Sequence, residues 1–307
     1  MKTNPVSLVV CDLAGTTVDY GSRAPLAAFI EVFGRHGVIA SEAETRGPMG
    51  MDKRDHLERM LSLPPIAAQW RKQHGRDSTA ADLDMLFKEF MPIQTELLEA
   101  HSEVVPGAAE AVELCRSLKI KVAATTGYNR PMTDIVLAAA KRRGLTFDFS
   151  RCAAEVPAGR PAPWMIFRCM EAANAYPPSA VIKIGDTIAD IEAGLNAGVW
   201  TVGVAMTGNL LGLSRRAVEK MTKAELEASL IPVRGKMAEA GAHMVIDSLA
   251  DMPLVLSAAR LAIEKGRHPE KPGLSPGPSP KSRRTRNNRQ SIAPLERPTA
   301  SAVAARE

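Results

Sequence analysis

The sequence predicts an α/β fold, in which a parallel sheet lies between two layers of helices. Six strand-like runs occur at residues 6–11, 120–125, 149–153, 180–185, 201–204 and 243–246. The later runs alternate with helical patterns, which is typical of parallel sheets because helical crossovers join strands that run in the same direction. This alternation fails between the first two strands, where residues 21–100 show one helical pattern after another. The sequence therefore predicts a Rossmann-like core with an inserted helical unit.

Composition and cysteine usage restrict the class of protein. The chain has 307 residues, of which 45% are hydrophobic, an ordinary value for a globular protein. Its four cysteines, Cys11, Cys115, Cys152 and Cys169, lack metal-type spacing and are expected to be buried free thiols in a reducing compartment. The amino-terminal apolar run is too short for a signal peptide, and no run approaches membrane-spanning length. We therefore expect a cytoplasmic protein without a membrane segment.

The positive charge is concentrated at the carboxyl terminus. From residue 266 onward there are nine Lys or Arg and three Glu, whereas the whole chain carries a net charge of +5. Because this part is rich in Pro, Ser and Arg and poor in apolar residues, it predicts a disordered basic tail over residues 266–307. Clustered arginines can bind nucleic acid, but no aromatic residues lie between them to stack on bases. Nucleic-acid binding is thus the weaker interpretation.

The first strand ends at a lone carboxylate. Residues 6–11 form a continuous apolar run, which is typical of a strand buried on both faces, and Asp12 follows it directly. Active sites of open α/β sheets lie at such strand ends. Asp12 is therefore a candidate nucleophile, although an aspartate here can also serve only to cap the next helix.

The helical insertion follows this strand. Its patterns predict helices over residues 25–36, 52–63 and 66–74, and Ser78 is expected to cap another helix that runs to Phe90. Pro92 is expected to break or kink this helix before residues 93–101. An all-helical unit in this position predicts a cap over the active site. We accordingly assign residues 1–20 and 101–265 to the core and residues 21–100 to the cap.

The core that follows has helical patterns over residues 107–118, 130–143, 161–175, 187–197 and 223–240, and three polar motifs. Thr126 comes at the end of the second strand, Arg160 opens a helix, and Asp186 and Asp190 follow the fourth strand. Each alone is compatible with a turn, a helix cap or a surface charge. Together with Asp12 they predict a phosphoryl-binding site in which carboxylates hold Mg²⁺.

Four motifs in this order resemble the haloacid dehalogenase (HAD) superfamily, in which the first aspartate becomes an aspartyl phosphate. HAD phosphatases carry a second aspartate two residues later, which protonates an alkoxide leaving group. Here that position is Ala14. Either the acid comes from elsewhere in the chain, or the leaving group needs none.

Lys53 and His56 lie three residues apart at a predicted helix start, so they share one helix face. A neutral lysine attacks carbonyl groups, and a neighbouring histidine can relay the protons. Taken alone, such a pair is usually part of a solvated helix face. The surrounding sequence decides between these two interpretations.

That sequence resembles the phosphonoacetaldehyde hydrolases, a Schiff-base-forming family within the HAD superfamily, over about residues 6–262. The matching segments are residues 12–21, Pro48-Met49-Gly50 with Lys53 and His56, Thr126-Gly127-Tyr128, residues 156–161 with 163–165, residues 183–187, 198–204 and 241–243. The resemblance implies Mg²⁺-dependent hydrolysis of phosphonoacetaldehyde to acetaldehyde and phosphate during 2-aminoethylphosphonate breakdown. It also implies a homodimer formed through the caps.

The resemblance further assigns roles to individual residues. Asp12 is the nucleophile, Lys53 forms the imine and His56 assists it. The carboxylates of Asp12 and Asp186 and the backbone carbonyl of Ala14 bind Mg²⁺, and Asp190 supports this site indirectly. The substrate-binding set comprises Thr126 and Arg160 on the phosphonate, Met49 near the amine, Tyr128 on the wall, and Ser22, where some relatives carry Cys.

The imine also accounts for Ala14. Direct cleavage of a C–P bond would leave a carbanion, whereas a protonated imine on Lys53 accepts the electron pair and becomes an enamine. No alkoxide leaves, so no acid is needed at position 14. An ordinary HAD phosphatase or phosphomutase remains the alternative, and Ala14 is the observation against it.

Overall fold

Six parallel strands form one sheet in the computed structural model, which describes residues 4–270. In chain order they are β1 (Leu8–Asp12), β2 (Lys121–Thr126), β3 (Phe149–Cys152), β4 (Val181–Gly185), β5 (Trp200–Val204) and β6 (Met244–Ile246). Their spatial order is β3-β2-β1-β4-β5-β6, and all neighbouring strands are parallel. The predicted α/β fold and its six strands are therefore confirmed.

The strand register brings the candidate site residues to one edge of the sheet. Every residue of β1 and β4 is buried, because helices cover both faces of a parallel sheet. Asp12 at the end of β1 pairs with Thr125 of β2, and Cys11 pairs with Ile184 of β4. Polar residues that follow these strands consequently meet at the carboxyl edge.

The helices fall into two groups. Between β1 and β2 lie α1 (Arg23–Arg35), α2 (Glu42–Arg46), α3 (Lys53–Leu61), α4 (Pro64–His74), α5 (Ala80–Leu98) and α6 (Ala108–Ser117). The later helices are α7 (Arg130–Arg142), α8 (Trp164–Ala173), α9 (Ile188–Ala197), α10 (Arg215–Glu219), α11 (Lys223–Glu239) and α12 (Met252–Glu264).

Helices α1 to α5, which are called the cap below, enclose an apolar cluster of their own. Phe29 and Phe33 of α1, Leu57 of α3, Trp70 of α4 and Phe90 of α5 are all buried in it. The rings of Phe29 and Phe90 stack with their centroids 4.4 Å apart. Because the insert buries its own large side chains, it forms a separate apolar core beside the sheet.

The structure corrects the prediction for α5. Thr79, not Ser78, caps this helix, and its side chain accepts a hydrogen bond from the backbone N–H of Asp82 in a capping box. The helix also continues through Pro92 to Leu98 without a break. Loss of one backbone hydrogen bond at Pro92 is offset by burial of Phe90 and its neighbours against α1. The short helices α2 and α10 and the longer α12 were not predicted.

Two further expectations concern the chain as a whole. All four cysteines are buried and free, as the sequence predicts. Within residues 4–270, no helix combines the length and the apolar character that crossing a bilayer requires. The predicted basic tail lies almost entirely outside the described residues, which end at Glu270.

Candidate active site

A small cavity lies between the carboxyl edge of the sheet and the cap. Its walls are formed by Asp12, Ala14, Ser22, Pro25, Met49, Gly50, Lys53, Thr126, Gly127, Tyr128, Arg160 and Thr187. Eight of these residues belong to the set of site residues predicted from the sequence. Asp186, Asp190 and His56, which complete the predicted set, lie behind the walls.

Asp12 is held at the centre of this site. The hydroxyl of Thr17 donates to the Asp12 carbonyl at 2.9 Å, which fixes the backbone at the end of β1. The carboxylate receives a direct hydrogen bond from Nη2 of Arg160. Burial raises the pKa of Asp12, and the positive charge of Arg160 opposes this rise.

Arg160 and Lys183 neutralise the buried carboxylates. Nη1 of Arg160 lies 2.9 Å from the Asp190 carboxylate, and Nζ of Lys183 lies 2.7 Å from the same oxygen. Burial alone would raise the pKa of Asp190, but these two cations hold it below its ordinary value. Nε of Arg160 is buried and, among the described residues, has no hydrogen-bond partner. The guanidinium thus keeps a donor for a further anion.

Three carboxylates form a cluster with the chemistry of a metal site. One oxygen each of Asp12, Asp186 and Asp190 lies within 4.8 Å of the other two, and all three residues are buried. Asp186 accepts hydrogen bonds from the Thr16 hydroxyl at 3.0 Å and from the backbone N–H of Asn209 at 2.7 Å. Burial and the two neighbouring carboxylates raise the pKa of Asp186 well above its ordinary value. A bound cation would relieve this repulsion, so the donor set fits Mg²⁺.

The end of β2 supplies another wall. The Thr126 hydroxyl accepts a hydrogen bond from the backbone N–H of Tyr128 at 3.2 Å. The absence of a side chain at Gly127 lets the cap approach, because a Cβ there would lie 2.5 Å from the carbonyl oxygen of Met51. The turn after β2 is therefore in close contact with the cap.

Lys53 brings an amine from the cap into the cavity. It is the first residue of α3, whose N-cap Asp52 accepts hydrogen bonds from backbone N–H groups of the first turn. The Nζ atom lies 5.1 Å from the centre of the Tyr128 ring and 5.5 Å from that of Phe29. Burial lowers the pKa of Lys53 to about 8, although the charge of Asp12 opposes this shift. The amine is consequently much closer to its neutral form than an ordinary lysine at pH 7.

His56 lies one turn after Lys53 and is fully buried. Its Nε2 atom lies 2.9 Å from the Thr45 carbonyl oxygen, and because a carbonyl only accepts, Nε2 carries the proton. Its ring stacks on Phe29 with centroids 3.7 Å apart. Burial lowers the pKa of His56 well below its ordinary value. His56 is therefore neutral, with a free lone pair on Nδ1.

Met49 and Ser22, two further residues of the predicted set, line the cavity together with Gly50. Met49 is buried in the cavity wall beside Gly50. Gly50 has a φ of 93°, and a Cβ there would lie 2.3 Å from the Thr187 hydroxyl. The Ser22 hydroxyl donates to Asp186 at 3.3 Å, so Ser22 contacts the carboxylate cluster as well as the cavity.

Several polar residues of this site were not assigned roles from the sequence, among them Lys183, Thr187 and Asn209. Lys183 could have been recognised from the sequence, because it is a charged residue in the middle of an apolar strand. Thr187 caps α9, and its hydroxyl donates to the Asp190 carboxylate at 2.6 Å. A threonine directly before a predicted helix, with an aspartate three residues later, is the sequence pattern that indicates this contact. Nothing in the sequence marks Asn209 as a site residue, since it lies in an irregular loop after β5.

Comparison with known proteins identifies the family of this chain. The profile of the haloacid dehalogenase-like hydrolases matches residues 6–198, and a second HAD-hydrolase-like profile matches residues 157–252. The phosphonoacetaldehyde hydrolase of Nitratidesulfovibrio vulgaris is 41% identical over 86% of this chain and 95% of its own length. That of Syntrophobacter fumaroxidans is 39% identical, over 87% of this chain and 96% of its own length.

Solved structures give the same result. A phosphonoacetaldehyde hydrolase-like protein from Oleispira antarctica superposes with a TM-score of 0.85 and 36% identity, covering 88% of this chain and 99% of its own. A β-phosphoglucomutase from Clostridium difficile superposes with a TM-score of 0.61 at 16% identity, which shows the shared fold alone. The chain therefore belongs to the phosphonoacetaldehyde hydrolase family of the haloacid dehalogenase-like hydrolases.

Proposed function

We propose that this enzyme hydrolyses phosphonoacetaldehyde to acetaldehyde and phosphate, through an imine on Lys53 and a phosphoryl group on Asp12. The observation that carries the proposal is the amine of Lys53, which shares one cavity with Asp12. An ordinary phosphatase has no use for a buried lysine whose pKa is lowered to about 8 in the same cavity as its nucleophile. An enzyme that acts on an aldehyde needs such a lysine, because imine formation requires an unprotonated amine.

The first part of the reaction takes place at Lys53. Its neutral Nζ attacks the aldehyde carbon, and uptake of one proton and loss of water give a protonated imine. His56 is neutral and has a free Nδ1, so we assign it to proton relay behind the amine. Met49 and Tyr128 shield the imine from bulk water.

The second part takes place at Asp12. Its carboxylate attacks phosphorus, the C–P bond breaks, and the electron pair moves into the imine to give an enamine. Arg160 and Thr126 orient the phosphonate, and the unpartnered Nε of Arg160 is a donor for one of its oxygens. Protonation of the enamine carbon and hydrolysis release acetaldehyde from Lys53, and water then cleaves the acyl phosphate on Asp12.

We assign Mg²⁺ to Asp12, Asp186 and the backbone carbonyl of Ala14. The ion would screen the negative charges of the carboxylate and the phosphonate from each other as they approach. Asp190 is engaged by Arg160 and Lys183, so we give it an indirect, supporting role. Ala14 needs no acidic side chain in this reaction, because no alkoxide leaves.

The remaining expectations also belong to this proposal. We place the reaction in the breakdown of 2-aminoethylphosphonate, and the enzyme in the cytoplasm, where its buried thiols stay reduced. Residues 21–100 form the cap domain in this scheme. We propose a homodimer, for which the caps are one candidate interface. The exposed pair Trp164 and Phe167, whose ring centroids lie 6.2 Å apart, offers a second candidate on α8 of the core.

The test is release of phosphate and acetaldehyde from phosphonoacetaldehyde, measured with Mg²⁺ and with a chelator. We expect both products in equal amounts, and only with the metal. A phosphate monoester such as p-nitrophenyl phosphate is the matched control for the alternative function. Faster turnover of the monoester than of phosphonoacetaldehyde would identify a general phosphatase instead.

A further inference from the structure

A second contact between cap and core lies beside the cavity, at the loop that follows β5. Arg46 is the last residue of α2, and its side chain reaches this loop. Nη1 donates to the side-chain oxygen of Asn209 at 3.1 Å, and Nη2 donates to the carbonyl of Gly212 at 3.0 Å. Nη1 also donates to the carbonyl of Gly21 at 2.9 Å, in the segment between β1 and α1. One guanidinium thus joins three separate parts of the chain.

Asn209 completes the connection to the carboxylate cluster. Its Nδ2 donates back to the carbonyl of Arg46 at 3.0 Å, so the two residues are paired reciprocally. Its backbone N–H donates to Asp186 at 2.7 Å. Asn209 is only 1% exposed, so water does not compete for these bonds. One residue therefore contacts both the cap and a carboxylate of the candidate metal site.

The loop is shaped to fit closely on both sides. Gly212 has a φ of 70°, and a Cβ there would lie 2.7 Å from Nε of Arg46. A Cβ on Gly208 would lie 2.4 Å from Cβ of Asp186. A side chain at either position would separate the loop from the cap or from the carboxylate. The two glycines permit both contacts at once.

The bonds of Arg46 depend on orientation more than on charge. The carboxylate paired with its guanidinium is that of Glu42, 3.5 Å away and largely exposed, within the same helix. The acceptors outside α2 are uncharged carbonyl oxygens of Asn209, Gly212 and Gly21. Hydrogen bonds of this kind weaken steeply when donor and acceptor move out of line. They hold only while the cap and the loop keep this relative position.

We propose that Arg46 and Asn209 form a latch, in which Asn209 is a positioning residue that couples closure of the cap to the orientation of Asp186. The proposal rests on the proposed function for the part that Asp186 plays in binding Mg²⁺. Opening of the cap breaks the reciprocal pair and frees the loop that carries the N–H donor. Coupling of this kind is reciprocal, so Mg²⁺ binding also favours the closed cap.

Hydrogen–deuterium exchange of residues 47–53 in the full-length chain measures cap closure without any turnover. In the wild type we expect Mg²⁺ to slow exchange of this segment by about tenfold, within the range usual for coupled sites. Arg46→Ala and Asn209→Ala should each reduce this protection to below about twofold, and should weaken Mg²⁺ binding measured by calorimetry. Because the two side chains act as one unit, the double variant should be no worse than either single variant.

Arg71→Ala is the matched control, since Arg71 is a cap arginine whose ion pair with Asp77 is exposed and remote from the loop. It should keep the protection of the wild type. Arg46→Lys tests the same idea without a large loss of packing, because lysine keeps the charge but cannot bridge Asn209 and Gly212 together. It should also lose most of the protection, with little change in thermal midpoint.

Full Mg²⁺-dependent protection in Arg46→Lys or Asn209→Ala would overturn the latch, and so would strictly additive effects in the double variant. These outcomes are independent of the reaction. If the wild type shows the coupling but releases no phosphate from phosphonoacetaldehyde, the proposed function fails and the latch stands.

Discussion

Lys53 and Tyr128 belong to different parts of the molecule, yet Nζ of Lys53 lies 5.1 Å from the centre of the Tyr128 ring. Lys53 comes from the first turn of the cap helix α3, and Tyr128 comes from the turn after β2. Their contact removes the amine from water, and this burial lowers the pKa of Lys53 from 10.5 to about 8. Burial of this amine between the two parts of the molecule thus favours its neutral form, which is the form that attacks an aldehyde.

Imine formation should consequently increase with pH around 8. The neutral amine is the reactive form, and with a pKa of about 8 it makes up about a tenth of the population at pH 7 and about nine tenths at pH 9. The rate of trapping by cyanoborohydride, with saturating substrate between pH 6 and 10, measures this fraction. A rate that still rises at pH 10 without levelling off would show an unperturbed lysine.

Asp12→Asn should separate the two halves of the reaction. Phosphate release should fall below detection, because an amide cannot accept the phosphoryl group. Imine trapping at Lys53 should survive. Since the charge of Asp12 raises the pKa of Lys53, its removal should also move the trapping midpoint to lower pH.

Asp134→Asn, which alters an exposed carboxylate on α7, is the control for this variant and should leave both activities unchanged. Repeated turnover of the wild type in heavy-oxygen water gives a second check. Label in the Asp12 carboxylate would show that water cleaves the acyl C–O bond of an acyl phosphate, whereas label in phosphate alone also results when water attacks the phosphorus of the same intermediate.

Gly50→Ala should prevent the cap from closing fully. The new Cβ would lie 2.3 Å from the Thr187 hydroxyl, at a φ of 93° that side chains rarely adopt. We expect kcat/KM to fall by at least about a hundredfold, as misplacement of reacting groups by about 1 Å can cause. Gly75→Ala is a matched control, because Gly75 has a φ of 71° but no atom within 4 Å of the new Cβ. A similar loss in both variants would point to backbone strain in place of cap closure.

Lys183→Met should destabilise the fold as well as the site. Lys183 is 1% exposed and lies 2.7 Å from the Asp190 carboxylate. Removing one partner of a buried pair costs about 3–5 kcal/mol of unfolding free energy, and we expect the lower end of this range because Arg160 still contacts Asp190. Chemical denaturation measures this loss. Lys121→Met removes an exposed pair with Asp148 and should cost less than about 1 kcal/mol. Equal losses would show that the burial of Lys183 is unimportant.

The sheet was predictable because most of its strands are short, largely apolar runs between turn residues, although β3 contains Ser150 and Arg151. The carboxylates were predictable for a related reason, since strand ends in a parallel sheet meet at one edge. The prediction for α5 was wrong about Ser78 as the cap and about a break at Pro92, where a capping box at Thr79 and packing against α1 outweigh local signals. The assignment of the sites to their chemical roles came from family resemblance and stays a prediction.

The contact between Asn209 and Arg46 could not be predicted from the sequence alone. Their pairing joins positions 163 residues apart through an irregular loop, and neither residue stands in a recognisable pattern. Lys183 was predictable in principle, because a charged residue in the middle of a buried strand indicates a buried partner.

Reductive trapping on Lys53 tests the proposed reaction most directly. The enzyme would be treated with borohydride in the presence of phosphonoacetaldehyde, digested, and mapped by mass spectrometry, with Lys53→Arg and omission of substrate as controls. We expect rapid inactivation and a single reduced adduct on Lys53, absent from both controls. An adduct on a different lysine, or phosphate release that continues undiminished in Lys53→Arg, would contradict the imine mechanism.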